Sequence, residues 1–334
     1  MLRGCLGVSA TTPEDRATGL RGWWQRWGWI ARWGGTLAGF VYIARLIDFA
    51  SVKTAFHRVS AFAMVATVVF IAVNVVAGAW RWRVLLQAYG AQSRPRFTTA
   101  VRLYFIAFFY NNFLPGAVAG DLMRGVVSRN SFGEHGTTGA IAVVLVERAL
   151  GLFAVFSLVA VGLLLSGDQL SDTGTLWWWS LGGVAASVVS VFMLPFGRKL
   201  APLFPGPLRA IAERLPVVTR PLHFVAAAAL SLSTQILTAL AGWVILRDLH
   251  PNVSIPATLL VVPLAAATTF LPITVGGAGA REAVFIALCA KLFGMSAADG
   301  LAASLLFWLA TLIVGAAGGV VQLLTRSQVQ ANAA

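Results

Sequence analysis

Long apolar runs separated by short polar ones organise the chain. Spanning a bilayer takes about 20 apolar residues in helix. Runs of that kind are read at residues 34–50, 61–79, 137–165, 176–196, 222–246, 254–272, 280–296 and 300–325. A ninth apolar stretch, 103–114, is too short for an ordinary crossing. The pattern therefore predicts an all-α polytopic membrane protein with about eight transmembrane helices. It leaves no room for a large soluble domain among the spans.

Composition agrees. Of 334 residues, 58% are hydrophobic and only 11% charged, whereas soluble domains carry about 25% charged residues. The formal net charge of +13 lies mostly between the apolar runs. Its placement points to cytoplasmic loops and anionic headgroups, and no nucleic-acid partner is expected. Cys5 and Cys289, and His57, His135, His223 and His250, are scattered. No metal site, disulfide framework or cofactor is expected.

Residues 1–33 are read as a separate N-terminal segment, with disorder expected over 1–20. Arg21, Arg26 and Arg32 alternate there with Trp23, Trp24, Trp27, Trp29 and Trp33, the pairing of an interfacial anchor and not of a signal peptide. Residues 34–326 form a single integral membrane domain, and 327–334 a short polar tail.

Basic loops orient the spans. Arg81, Arg83, Arg94, Arg96 and Arg102 place 81–102 in the cytoplasm, as do Arg198, Lys199, Arg209, Arg214 and Arg220 for 197–221. Loop 166–175, with Asp168 and Asp172, fits the outside. The N-terminus then lies in the cytoplasm. An even number of crossings must separate the two basic loops, so the short run 103–118 is expected to enter, turn at Pro115–Gly116 and return. Broken backbone at membrane depth is tolerated only where protein or a wet cavity surrounds it.

The sequence around that turn, "NNFLPGAVAGDLMRG" at 111–125, has a partner in "TTFLPITVGGAGARE" at 268–282. The two share six identities over twelve positions, from Phe113 to Arg124 and from Phe270 to Arg281. Two readings stay open: a second re-entrant segment forming an inverted repeat with the first, or a plain span with a chance match. Pro115, Gly116, Gly120, Pro272, Gly276, Gly277 and Gly279 are assigned to the structural turns.

Charges within apolar runs are costly and mark function. Asp121, Arg124, Glu147, Arg148, Arg281 and Glu282, with Asn111 and Asn112, are the candidate headgroup-binding residues. Helix neighbours point about 100° apart, so Glu147 and Arg148 need not pair with each other, and one of them is expected to reach Asp121, Arg124, Arg281 or Glu282; the plainer alternative is an ion pair that only locks helices together. Exposed N–H groups at the glycine turns, helix dipoles and the two arginines suit an anionic headgroup. Glu147 and Glu282 are candidate proton carriers. By contrast, Arg45 and Asp48 read as a local pair, and Arg81 and Arg83, interleaved with Trp80 and Trp82, as an interfacial collar. Ser231, Ser233, Thr234 and Gln235 read as helix glue, with cavity lining as the alternative.

Arg81–Trp82, the 111–125 segment, Glu147–Arg148 followed by Gly151, and "PITVGGAGAREA" at 272–283 resemble the lysylphosphatidylglycerol synthase transmembrane, or flippase-like, family over about residues 34–325. The resemblance implies a multi-pass protein of the bacterial cytoplasmic (inner) membrane. It implies motif positions at Asn112, Pro115, Gly120, Asp121, Arg124, Glu147, Arg148, Pro272, Gly276, Gly277, Gly279, Arg281 and Glu282. The expected function is a lipid flippase-like transporter for an anionic or lipid-linked headgroup, using a cavity lined by Arg and carboxylates. The partner is then a membrane phospholipid or a polyprenyl-linked lipid. The alternative is a membrane enzyme, or a subunit accessory to a lipid-modifying enzyme. Synthases of the family add a soluble domain after the membrane part, and this chain, ending at Ala334, is not expected to be one. It shows no Asp-x-Asp, His-Glu-x-x-His, Walker or Gly-x-Ser-x-Gly motif and no catalytic residue is assigned.

Overall fold

The computed structural model describes residues 48–113, 119–166, 181–189, 198–203, 217–268 and 277–331, with isolated positions elsewhere. The N-terminal segment, nearly all of the 34–50 run, and the turn residues Pro115, Gly116, Pro272 and Gly276 lie outside them. Nine α-helices carry most of the described chain: α1 Phe49–Arg58, α2 Ala61–Ala88, α3 Phe97–Phe113, α4 Ala119–Val127, α5 Gly136–Ser166, α6 Pro221–Leu249, α7 Ile255–Ala267, α8 Ala280–Phe293 and α9 Ala297–Ala331. Residues 181–189 are also helical, and no strand occurs among the described residues.

Among the described residues, four helices are long and apolar enough to cross a membrane: Ala61–Ala88, Gly139–Leu165, Pro221–Leu249 and Ala297–Thr325. The chain is an all-α, multi-pass membrane protein. The shorter α3, α7 and α8 account for the runs at 103–114, 254–272 and 280–296. At about 1.5 Å per residue, the 13 residues of α7 and 14 of α8 are each too short to span alone.

Helix α2 shows how the bundle sorts its surfaces. Phe62, Val65, Val69 and Val73 form one outward stripe, while Ala63, Thr67, Ile71, Val75 and Trp82 are buried on the opposite side. Both stripes are apolar, as expected when the outside is lipid. Its buried face lies mainly along α6. There Thr67 Oγ1 donates to the Ala241 carbonyl (3.0 Å), and Asn74 Nδ2 donates to Thr238 Oγ1 (2.9 Å). The extension of α2 to Ala88 carries Arg81 and Trp82 inside the helix, beyond the span end expected near 79.

Helix starts follow local chemistry. Asp48 accepts from the Ala50 and Ser51 amides and caps α1, which replaces the expected local pair with Arg45. Ser60 caps α2 by accepting from Ala63 N (3.1 Å), and its hydroxyl donates to Asp248 at the end of α6 (2.6 Å). Ser60→Ala is expected to cost about 1 kcal/mol, read as a lower midpoint in thermal unfolding and faster amide exchange at Ala63. Pro221 opens α6 at a first-turn position, where its missing N–H is no loss.

The two helices that flank the first predicted turn pack against each other as a hairpin. Helix α4 doubles back along α3 so closely that a Cβ placed on Gly120 would lie 2.0 Å from the Ala107 carbonyl oxygen. Gly120 N donates to Asn111 Oδ1 (2.9 Å), which ties the returning helix to the descending one. Helices α7 and α8, which flank the second motif in sequence, pack on each other. The two motifs are locally unlike. Gly120 is helical, whereas its counterpart Gly277 has φ +79° and Gly279 φ +86°, backbone that glycine adopts without strain.

Candidate functional site

Five charged side chains meet where α2, α3, α4 and α5 pack. Arg81 comes from α2, Asp121 and Arg124 from α4, and Glu147 and Arg148 from α5, with Tyr104 and Asn111 from α3. Arg81 lies seven residues before the end of α2, about 10 Å of helix from it. A charge at such depth persists only when it is paired.

Glu147 is the hub. Its Oε1 accepts from Arg81 Nη2 (2.9 Å) and Tyr104 OH (2.7 Å), and its Oε2 from Arg124 Nη1 (3.1 Å). Arg81 Nη1 also donates to Ser231 Oγ and Thr234 Oγ1 of α6, each at 3.3 Å. The Arg124 guanidinium stacks 4.1 Å from the Tyr104 ring and 5.4 Å from the Trp82 ring, a favourable placement for a cation in a dry site.

Asp121 is the second centre. Its Oδ2 accepts from Arg148 Nε (2.9 Å) and Nη2 (2.5 Å). Its Oδ1 accepts from Arg124 Nη2 (2.5 Å) and Asn111 Nδ2 (3.2 Å). Neighbours in sequence, Glu147 and Arg148 thus serve two different centres. The side chain of Arg124 is 3% exposed and that of Glu147 4%, against 25% for Arg148. Arg148 is therefore the network's side toward the outside.

Arg281 and Glu282 form another buried pair, between α8 and α9. Arg281 bonds to Glu282 through Nη2 and Nε and to Ser304 Oγ (3.3 Å), with Trp308 5.7 Å from its guanidinium. Glu282 Oε2 accepts from Gly279 N (2.6 Å), and its side chain is 1% exposed.

Several expectations change here. The collar residue Arg81 is an interior member of the network, beside a fully buried Trp82, while Trp80 stays exposed. A guanidinium reaching a carboxylate hub gains more than one at a surface. Ser231 and Thr234 hold Arg81 and not only helices together. Asn112 turns back on its own helix, donating to the Phe108 carbonyl (2.8 Å). The N–H groups of Gly120 and Gly279 are taken by Asn111 and Glu282 and are not offered to a guest. Arg124 and Arg281 are both buried against carboxylates, since an unpaired guanidinium there would be too costly. An open depression of about 320 Å³ lies elsewhere, between α1 and the start of α9, lined by Asp48, Arg58 and Asp299 among others.

Sequence reading did not name Tyr104 or Ser304, and it gave Arg81 the role of a collar rather than a network member. The available signal was that the apolar pattern of α2 does not stop at residue 79, so Arg81 is an intramembrane charge.

A helical membrane bundle with buried ion-pair networks beside a helical hairpin defines a polytopic integral membrane protein built around intramembrane charge. The chain belongs to the family described as the lysylphosphatidylglycerol synthase TM region, whose profile matches residues 29–319. No curated protein matches the chain.

Proposed function

We propose that this protein is a flippase-like lipid transporter of the bacterial cytoplasmic membrane, with its N-terminus in the cytoplasm. Its cargo is an anionic phospholipid or a polyprenyl-linked lipid whose headgroup is bound at the Arg81–Asp121–Arg124–Glu147–Arg148 network. A lipid-modifying enzyme is the natural partner. The observation that carries this reading is the network itself, in which three guanidiniums face two carboxylates. Among these five side chains one positive charge is in excess, which favours an anionic guest. Arginine's planar fork matches phosphate oxygens, and Arg148 is the member closest to the exterior. Membership of a lipid-handling family supports the same reading.

The closed packing means that transport requires the network to open. Binding energy from the headgroup replaces the internal ion pairs while the acyl or prenyl tail stays in lipid. The test is reconstitution into liposomes with fluorescent phosphatidylglycerol, followed by quenching of outer-leaflet label. Wild type is expected to scramble or flip the label faster than empty liposomes. Arg148→Ala is expected to slow this about tenfold or more, the loss of charge-assisted bonds worth about 1.5–3 kcal/mol. A wild-type rate equal to that of empty liposomes, across anionic and polyprenyl-linked lipids, rejects the proposal.

A further inference from the structure

We infer that Asp121 is an internal stand-in for the headgroup phosphate: its carboxylate occupies an anion seat formed by Arg124, Arg148 and Asn111, and a phosphodiester binds by displacing it. The inference deepens the transport reading and rests on it for the identity of the guest.

Four donors converge on the two Asp121 oxygens, namely Arg148 Nε and Nη2, Arg124 Nη2 and Asn111 Nδ2. Two guanidiniums and an amide around one small anion is the donor set that grips phosphate. One of the seat's guanidiniums also keeps an unused donor, since Arg124 Nε is buried with no partner among the described residues.

Of the two carboxylates in the network, Asp121 is the one that can yield. Glu147 sits on the 31-residue α5 and is held by side chains from α2, α3 and α4. Asp121 sits on α4, which has nine residues and leaves Leu122, Val126 and Val127 exposed. Its partner Arg148 is the network's most exposed guanidinium. Both carboxylates are held from three helices, but Asp121 rides on the nine-residue α4 and Glu147 on the 31-residue α5, so Asp121 yields with the movement of a short helix.

Charge decides the class of guest. Exchanging the single charge of Asp121 for the single charge of a phosphodiester leaves the buried total unchanged. The seat is therefore matched to phosphodiester headgroups.

The experiment titrates purified full-length protein with dihexanoyl phosphatidylglycerol, and in a second arm with dimethyl phosphate, which has the same diester and no chains. Asp121→Asn removes the internal competitor and is expected to bind the lipid probe about tenfold more tightly than wild type, since the seat no longer has to be vacated. A gain for both probes assigns the seat to the diester itself. A gain for the lipid probe alone assigns it to a headgroup presented with its chains. Unchanged or weaker binding at an unchanged melting temperature overturns the inference. Should Asp121→Asn not fold, infrared difference spectra of wild type are decisive: adding the lipid probe must shift a carboxylate stretch, and no shift overturns the inference. Liposome transport by a wild type whose carboxylates show no displacement keeps the flippase reading and removes this one. Displacement without transport does the reverse.

Discussion

Glu147→Ala is expected to destabilise the folded protein by about 3–5 kcal/mol, the cost of leaving buried charge uncompensated. Two guanidiniums, Arg81 and Arg124, share this carboxylate, and Arg124 is 3% exposed. Tyr104 loses the acceptor of its hydroxyl in the same step. Asp121 still holds one end of Arg124, so Arg81 bears the larger loss, with only Ser231, Thr234 and Tyr104 left to it. Reversible unfolding in mixed micelles measures the effect. Adding Arg81→Met to Glu147→Leu removes the stranded charge together with its partner. The pair is expected to recover about 1–3 kcal/mol relative to the sum of the single changes. A loss below about 1 kcal/mol for Glu147→Ala would mean that water reaches and solvates the hub, contrary to its burial.

Gly120→Ala is the second large effect, and it acts through backbone rather than charge. The added methyl would lie 2.0 Å from the Ala107 carbonyl oxygen and 2.6 Å from Ala107 Cα. Neither atom can rotate away as a side chain would, so α4 must shift off α3. Overpacking of this kind costs about 1–3 kcal/mol or more. Because Asp121 and Arg124 ride on α4, the shift also breaks their bonds to Asn111, Arg148 and Glu147. Liposome transport is expected to fall to the empty-vesicle level, with a lower unfolding midpoint. Gly151→Ala on α5 is the matched control. A Cβ there meets nothing within 4 Å, so the helix-propensity gain of up to about 1 kcal/mol is expected to leave it neutral or slightly stabilised. Equal behaviour of the two variants would show that α4 does not lie against α3.

The spans and the site were legible to different degrees. Helices α2, α5, α6 and α9 announce themselves by unbroken apolar length. The hairpin of α3 and α4 accords with the entry and return expected from the parity of the basic loops and from Pro115, whose ring removes a backbone donor. Asp121, Arg124, Glu147 and Arg148 stood out as charges in oily surroundings. Their partners did not. Tyr104, Ser231 and Thr234 are ordinary in a membrane helix, and only packing makes them ligands of a charged group.

Amino-acid order alone determined that this chain is a bundle of apolar helices, and it marked Asp121, Arg124, Glu147 and Arg148 as charges that need partners inside the bundle. Those are consequences of local chemistry: hydrocarbon tolerates helix, rejects unpaired polar groups and accepts broken backbone only inside protein. The tertiary structure decided everything that depends on direction. Both faces of α2 are apolar, so no periodicity could show which one meets lipid and which meets α6. It also decided that Glu147 takes Arg81 and Arg124 while its neighbour Arg148 takes Asp121. Ion pairing at short range depends on separations of a few ångströms between helices distant in sequence, and that information appears only when the helices are packed.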